Sequence, residues 1–212
     1  MAFQTGARYR TATPRSGAEP HGTAAPGPGE IHVCRIELGG GGRGAARAGL
    51  HDVLAGYLGG EDVALAEGPG GKPRLARGPE RLSFNLSHSG ALALVAIAPG
   101  GVEIGVDVER LRPRRDLVRL AARRLPEDDA AAIAAAEPDA REAAFYAAWT
   151  RHEARVKCTG TGLAGPPPGP EVVAHQLPID AGYAAAVAVS RGGEGAAACA
   201  PRILLRDAAC RR

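Results

Sequence analysis

Two acidic side chains that could bind a metal ion, Asp107 and Glu109, stand two residues apart in the apolar segment 101–109. Side chains alternate between the two faces of a β-strand, so both carboxylates are expected on one face and the valines on the other. Carboxylates this close repel each other unless a cation or donor lies between them, and Mg²⁺ prefers hard oxygen ligands. The segment indicates a candidate magnesium site, although a solvent-facing acidic strand would give the same pattern.

A third carboxylate, Glu153, lies in a predicted helix over residues 139–158, four residues after Trp149 and four before Lys157. Residues spaced by four share one helix face. Glu153 could therefore complete a metal site with the two strand carboxylates, while Lys157 could hold a phosphate or assist a leaving group. The alternative is an exposed Glu–Lys pair that contributes about 0.2–0.5 kcal/mol.

Two further stretches could contact phosphate, namely Gly71-Lys72-Pro73 and the segment 84–90, which reads FNLSHSG. In the second, Ser87, His88 and Ser89 emerge at the end of a predicted strand. A cluster of hydrogen-bond donors at a tight turn suits phosphate binding. An ordinary polar turn is the alternative for each stretch alone, whereas the order and spacing of all the stretches together are specific.

The elements that must position these residues follow from hydrophobic periodicity and from Gly and Pro turn signals. Their order is strand, helix, strands, then helix, strands, which predicts an α+β chain of two similar half-domains. The half-domains are predicted at 31–109 and 110–200, with a disordered tail over 1–30 and a second tail over 201–212. The predicted strands are 31–38, 82–87, 91–98, 101–109, 171–176 and 183–190; the predicted helices are 45–57, 116–125, 126–136 and 139–158.

The composition restricts the class of protein. The net charge is only +3 and the basic residues are scattered, which suits an anionic small molecule or an acidic protein partner and not a nucleic acid. The four cysteines form no CxxC pair, so neither a zinc site nor a disulfide framework is indicated. The longest apolar run, 91–98, is too short to span a membrane, and a cytoplasmic protein is expected.

On the basis of these stretches, the chain resembles the Sfp-type 4′-phosphopantetheinyl transferases. The similarity covers residues 31–190, and the pair of motifs IGVDVE and W-T-x-x-E-A-x-x-K is its most specific part. The stretches that carry the resemblance are GKPRL at 71–75, FNLSHSG at 84–90, IGVDVE at 104–109 and WTRHEARVKCTGTGL at 149–163.

The resemblance implies a pseudo-twofold α+β fold with coenzyme A bound in the cleft between the halves. It implies that Asp107, Glu109 and Glu153 bind Mg²⁺ together with the diphosphate of coenzyme A. Glu153 is also an implied base for the acceptor serine, with a bound water as the alternative, and Lys157 is implied to help the leaving group. Asp107, Glu153 and Lys157 are therefore the catalytic candidates.

The resemblance also implies the remaining coenzyme A contacts. His88 and Arg47 match positions near the 3′-phosphate, and Gly71, Lys72 and Pro73 match positions that line the adenine side. Ser87, as a donor beside His88, is a further candidate for binding the cofactor.

The implied reaction moves phosphopantetheine from coenzyme A to a serine of an apo acyl or peptidyl carrier protein and releases 3′,5′-ADP. The nucleophile belongs to the partner, and a monomer is expected. The chain departs from the family in a trimmed N-terminal half, in His152 where a lysine is usual, and in a short segment over 164–177.

Two alternatives to an active transferase follow from these departures and from the carboxylates. One is a catalytically degraded relative that binds a carrier protein or coenzyme A without turnover. The other is an unrelated Mg²⁺-dependent phosphohydrolase, which would not account for the GKP and SHS stretches.

Overall fold

The computed structural model describes residues 8–12, 23–162, 167–191 and 200–208, the first of these ranges in its backbone only. Most of the predicted N-terminal tail lies outside the described residues, as do Cys199 and Cys210. None of the described helices is long and apolar enough to cross a membrane.

The helices and strands predicted from periodicity are all present, with their ends shifted by a few residues, which confirms the α+β class. The helices are α1 (Gly42–Tyr57), α2 (Leu117–Arg124), α3 (Glu127–Ala135) and α4 (Pro138–Thr159). The strands are β1 (Arg8–Ala12), β2 (Glu30–Glu37), β3 (Leu65–Glu67), β4 (Pro73–Leu75), β5 (Leu82–Ser89), β6 (Leu92–Pro99), β7 (Ile104–Arg110), β8 (Val172–Gln176), β9 (Tyr183–Ser190) and β10 (Arg202–Asp207).

The strands form a five-stranded sheet in the order β1-β10-β2-β6-β5, a three-stranded sheet in the order β7-β9-β8, and the hairpin β3-β4. The sets β2-β6-β5 and β7-β9-β8 are both antiparallel and share one strand order. In chain order, a helix precedes the second strand of each set: α1 precedes β5, and α4 precedes β8. This shared order agrees with two similar halves, while the twofold rotation stays a prediction.

The two larger sheets pack face to face and each carries a helix on its outer side. Alternate residues of β6 and β7, such as Leu94 and Val106, meet in a core between the sheets. On the outer side of the five-stranded sheet, Leu54 of α1 packs with Phe84. On the outer side of the three-stranded sheet, Ala154 of α4 packs with Ala186. The predicted alternation of β7 therefore turns Asp107 and Glu109 toward α4.

The predicted tails are wrong at two places. Residues 202–207 form β10, a parallel strand between β1 and β2, in which Ile203 is fully buried. Residues 8–12 form β1, which pairs with β10. Both strands are short and pair with segments far away in the sequence, so no local turn signal marks them.

The predicted division at residue 109 does not coincide with the division between the sheets. Strand β7 pairs through its backbone with β9 along its whole length, from Ile104 to Arg110. The carboxylate strand thus belongs to the sheet of the C-terminal half. The domain division itself stays a prediction.

Candidate active site

Asp107 lies at the centre of the site and is only 4% exposed. Its Oδ1 accepts hydrogen bonds from Lys157 Nζ at 2.7 Å and from Ser87 Oγ at 2.9 Å. Its Oδ2 is buried and has no hydrogen-bond partner. The charge compensation that close carboxylates require is therefore provided here by a lysine ammonium, and one oxygen remains free to bind a further group.

A close approach of α4 to β7 brings Lys157 to Asp107. Gly105 is buried in β7, and a Cβ at this position would overlap the Ala154 carbonyl oxygen and the Cys158 amide nitrogen. Only a residue without a side chain lets the helix backbone lie this near the strand. Helix α4 then ends at Gly160, whose left-handed conformation (φ 70°) is favourable for glycine.

The pKa values of the two central carboxylates, Asp107 and Glu153, are both raised. Burial raises the pKa of Asp107, and Lys157 opposes this rise. Burial also raises the pKa of Glu153, the negative charge of Asp107 raises it further, and Lys157 again opposes. A half-buried glutamate with a raised pKa is suited to accepting a proton.

Replacing Glu153 with glutamine is expected to raise the melting temperature of the metal-free protein at neutral pH. Because its pKa is raised on folding, the ionised carboxylate is less favourable in the folded chain than in the unfolded chain. At pH values below the ordinary range of a glutamate, Glu153 is protonated in both states and this penalty vanishes; it develops as the pH rises through the folded pKa. The gain should therefore be present at neutral pH and absent in acid, as measured by thermal denaturation in EDTA.

The control for this prediction is Glu142→Gln, which makes the same change on α4 outside the cleft. The prediction is contradicted if Glu153→Gln lowers the melting temperature at neutral pH, or raises it equally in acid.

Glu109 is half-buried next to this pair, and Ser89 Oγ donates a hydrogen bond to its Oε2 at 3.0 Å. Its charge acts on Asp107 and on Glu153 and raises the pKa of both. Within the described ranges, however, no three His, Cys, Asp or Glu side chains form a group that could hold a metal ion. The Mg²⁺ site made of the three carboxylates stays a prediction.

A cleft of about 210 Å³ lies beside these residues. The loop that carries Gly71, Lys72 and Pro73 forms one wall, and Glu153 and Lys157 of α4 form the other. The structure thus brings together two stretches that the sequence places about eighty residues apart. The cleft is lined by Gly70, Gly71, Lys72, Pro73, Asn85, Glu153, Val156, Lys157, Gly160 and Gly162.

Lys72 fixes this loop to the end of α4. Its Nζ donates to the Cys158 carbonyl oxygen at 3.0 Å and to Glu103 Oε2 at 3.0 Å. The neighbouring Gly70 lies so close to α4 that a Cβ there would overlap the Gly160 carbonyl oxygen. Lys72 therefore holds one wall of the cleft in place, in addition to lining it.

Residues 103–191, which include both β7 and α4, match the family model described as the 4′-phosphopantetheinyl transferase superfamily. Over these residues the chain is similar to this superfamily. The matched segment contains Asp107, Glu109, Glu153 and Lys157.

Curated relatives carry the same family name. The 4′-phosphopantetheinyl transferase HetI of Nostoc sp. is 38% identical over 124 residues, which are 57% of this chain and 52% of HetI. AcpT of Salmonella typhi is 40% identical over 96 residues, 45% of this chain and 49% of AcpT. Psf-1 of Bacillus pumilus is 30% identical over 115 residues, 54% of this chain and 46% of psf-1. The chain spans about half the length of the curated relatives that it matches.

Asp107, Glu109 and Ser87 lie beside the described cleft without lining it, and three further positions considered from the resemblance do not line it either. His88 lies on the opposite face of β5 from Ser87, because neighbouring residues of a strand alternate. Arg47 is exposed on α1. His152 lines a separate cavity of about 340 Å³ together with Asp129 and other residues of α3, α4 and β8. A phosphate contact of His152 in the cleft is therefore not favoured by this geometry.

Sequence reasoning did not single out Asn85 as a site residue, and for Ser89 it predicted a phosphate contact. Asn85 lines the cleft, and Ser89 contacts Glu109. The signal was present in the FNLSHSG stretch, because residues 85, 87 and 89 of a strand share one face. What the sequence does not show is which neighbouring strand that face meets.

Proposed function

We propose that the chain transfers 4′-phosphopantetheine from coenzyme A to a serine of an apo carrier protein and releases 3′,5′-ADP. The observation that carries this proposal is the convergence of Lys72, Glu153 and Lys157 on one cleft, beside the buried Asp107. A glycine-rich wall with an ammonium group opposite it suits a phosphorylated ligand. Since the chain matches about half the length of its relatives, the activity of the whole protein is a proposal.

In the proposed reaction the chain's own residues position the diphosphate and accept one proton. Lys157 provides a fixed positive charge next to the cleft, where negative charge develops as 3′,5′-ADP leaves. Glu153, with a pKa raised by burial, is the proposed acceptor for the proton of the attacking serine. The serine oxygen attacks the β-phosphorus, and the bond to the α-phosphate oxygen of 3′,5′-ADP breaks.

The donor chemistry of three carboxylates suits the Mg²⁺ ion that the family resemblance implies, although the three are not close enough in the described structure to form a metal-binding group. Asp107 Oδ2 is buried without a hydrogen-bond partner, and Glu109 and Glu153 add carboxylate oxygens whose mutual repulsion a cation would relieve. Oxygen ligands of this type are the ones that Mg²⁺ uses. We propose that Asp107, Glu109 and Glu153 hold it. A bound Mg²⁺ neutralises charge on a diphosphate.

The same proposal assigns residues to the other parts of coenzyme A. Gly71, Lys72 and Pro73 would line the adenine side, and Ser87 would lie near the phosphates. His88 and Arg47 remain candidates for the 3′-phosphate.

The proposed carrier partner is supported by a basic surface that follows the carboxylate strand. We call it the arginine surface; its members are exposed and comprise Arg112, Arg114, Arg115, Arg119, Arg123 and Arg124. Val118 lies among them and is 37% exposed, the one large apolar side chain so exposed within the described residues. The charge of Arg124 acts on Glu153, so the surface reaches toward the cleft. An acidic protein with an apolar contact point would complement it.

Reversing charge on the arginine surface is expected to weaken binding of the carrier and not of coenzyme A. With Arg119→Glu and Arg123→Glu combined, the KM for the carrier should rise at least about tenfold, because opposite charges across an interface steer association. The KM for coenzyme A should stay unchanged. Steady-state kinetics with each substrate varied in turn measures both values.

A matched control for the arginine surface is Arg74→Glu combined with Arg77→Glu, two exposed arginines outside the arginine surface, one in β4 and one just after it. An equal rise of the carrier KM in both double variants would argue against a specific docking surface.

The proposed function is tested by incubating the chain with an apo carrier protein, coenzyme A and Mg²⁺ and weighing the carrier by mass spectrometry. A mass gain of one phosphopantetheine, lost on chelation, supports the proposal. Saturable binding of coenzyme A without any mass gain would instead support a degraded relative that acts as a binding module. Release of inorganic phosphate without carrier modification would support a phosphohydrolase.

A further inference from the structure

The two larger sheets meet at the edges of β5 and β7, and these two edges are not joined by backbone pairing among the described residues. Among the described strands, β5 pairs through its backbone with β6, and β7 pairs with β9. The facing edges of β5 and β7 are instead joined by three side chains of β5, namely Asn85, Ser87 and Ser89. We call these three residues the polar seam.

Each member of the polar seam replaces one backbone acceptor for β7. Asn85 Oδ1 accepts the amide of Val106 at 2.9 Å. Ser87 Oγ accepts the amide of Val108 at 3.3 Å, and Ser89 Oγ accepts the amide of Arg110 at 3.1 Å. The polar seam therefore provides hydrogen-bond acceptors for every second backbone amide of β7. On this edge of the strand those amides would otherwise lack partners.

The two serines do more than replace a backbone ladder, because each also donates its hydroxyl proton to a carboxylate of β7. Ser87 Oγ donates to Asp107 Oδ1 at 2.9 Å, and Ser89 Oγ donates to Glu109 Oε2 at 3.0 Å. The same pair of bonds thus recurs at two successive pleats. At the third pleat Asn85 lies opposite Gly105, which has no carboxylate to orient.

We infer that Ser89 is a positioning residue, which orients Glu109 for metal binding and couples that carboxylate to the junction between the sheets. The inference rests on the proposed function, in which Glu109 is a ligand. A hydroxyl that accepts a backbone amide uses one of its two lone pairs and is restricted in its rotation, so its proton is directed at the carboxylate. The Ser87 hydroxyl also accepts a hydrogen bond from Lys157, whereas Glu109 is the one side-chain partner of the Ser89 hydroxyl among the described contacts.

A serine that only closed the seam would support the fold and leave metal affinity unchanged. A serine that orients Glu109 should instead change metal affinity by the amount typical of groups that hold a ligand in place, about 10- to 100-fold. The two roles are therefore distinguished by a binding measurement on folded protein.

The experiment titrates Mn²⁺ into the chain in the presence of coenzyme A and follows free Mn²⁺ by electron paramagnetic resonance. Ser89→Ala is expected to bind Mn²⁺ about 10- to 100-fold more weakly than the wild-type chain. Ser89→Thr, which keeps the hydroxyl, should restore most of the affinity. Ser83→Ala is the matched control, because Ser83 lies on the same face of β5 about 20 Å from Ser89. Circular dichroism establishes that each variant is folded.

A double-mutant cycle with Glu109→Gln then identifies the residue through which Ser89 acts. If Ser89 orients Glu109, the loss caused by Ser89→Ala should largely vanish in the Glu109→Gln background. Wild-type affinity in Ser89→Ala overturns the inference, and so does an equal loss in both backgrounds. If Ser89→Ala does not fold, the comparison of Ser89→Thr with Ser89→Cys decides, and equal affinity of the two overturns the inference.

The inference and the proposed function fail in different ways. A wild-type chain that binds Mn²⁺ and shows the coupling, but never modifies a carrier protein in the mass assay, contradicts only the transferase. A chain that modifies the carrier but shows no coupling contradicts only the role of Ser89.

Discussion

Replacing Asp107 with asparagine is expected to reduce phosphopantetheinyl transfer at least about a thousandfold, equal to about 4 kcal/mol of transition-state stabilisation. The asparagine has the same size but carries no charge. Lys157 then loses the negative charge that its Nζ contacts at 2.7 Å, and the second carboxylate oxygen, which could bind a cation, is lost. The rate is measured by mass spectrometry of the carrier at saturating coenzyme A and Mg²⁺.

The control for Asp107→Asn is Asp180→Asn, the same change at a carboxylate whose side chain is 56% exposed and paired with Arg35. This control should stay close to the wild-type rate. Transfer by Asp107→Asn within about tenfold of the wild type would remove Asp107 from the catalytic residues.

Replacing Gly105 with alanine is expected to lower both the stability of the fold and the rate of transfer. The new Cβ would overlap backbone atoms of Ala154 and Cys158, so α4 must move away from β7. Overpacking of this kind costs about 1–3 kcal/mol of unfolding free energy, and occasionally more. Because Lys157 lies on the displaced helix, its contact with Asp107 should lengthen. Urea denaturation measures the stability, and the mass assay measures the rate.

The matched control for Gly105→Ala is Gly44→Ala, in a stretch of α1 where a Cβ would meet open space. Alanine there favours the helix by up to about 1 kcal/mol, so stability should rise or stay unchanged. Equal behaviour of the two variants would mean that α4 tolerates the extra methyl group and that Gly105 does not set the helix position.

The sequence predicted the local elements of the site well because its signals are local. Alternation in the IGVDVE stretch placed Asp107 and Glu109 on one face, and the spacing of four placed Glu153 with Lys157. It could not predict that Lys157 would bind Asp107, because any anion near the helix would satisfy an ammonium group. The tie from Lys72 to the Cys158 carbonyl was equally hidden, since a backbone acceptor leaves no mark on the residue type.

The strands at the other edge of the five-stranded sheet show where such reasoning fails. Residues 202–207 read RILLRD, a short apolar run between charges without clean alternation. Parallel strands are buried on both faces, so they lack the alternating pattern that marks an antiparallel strand. The position of β10 depends on β2 and β1, which lie at the opposite end of the described chain.

The place of β10 between β1 and β2 has a consequence for how the protein matures. The strand that fills this gap leaves the ribosome long after Ile31 and Val33 of β2, which it covers. Contacts between segments so distant in sequence slow folding, since a very large loop must close first. Until that happens, β2 offers an open edge on which nascent chains can associate. We therefore expect the finished sheet to form only after residues 202–207 have been synthesised, and chaperones to raise the yield of folded protein.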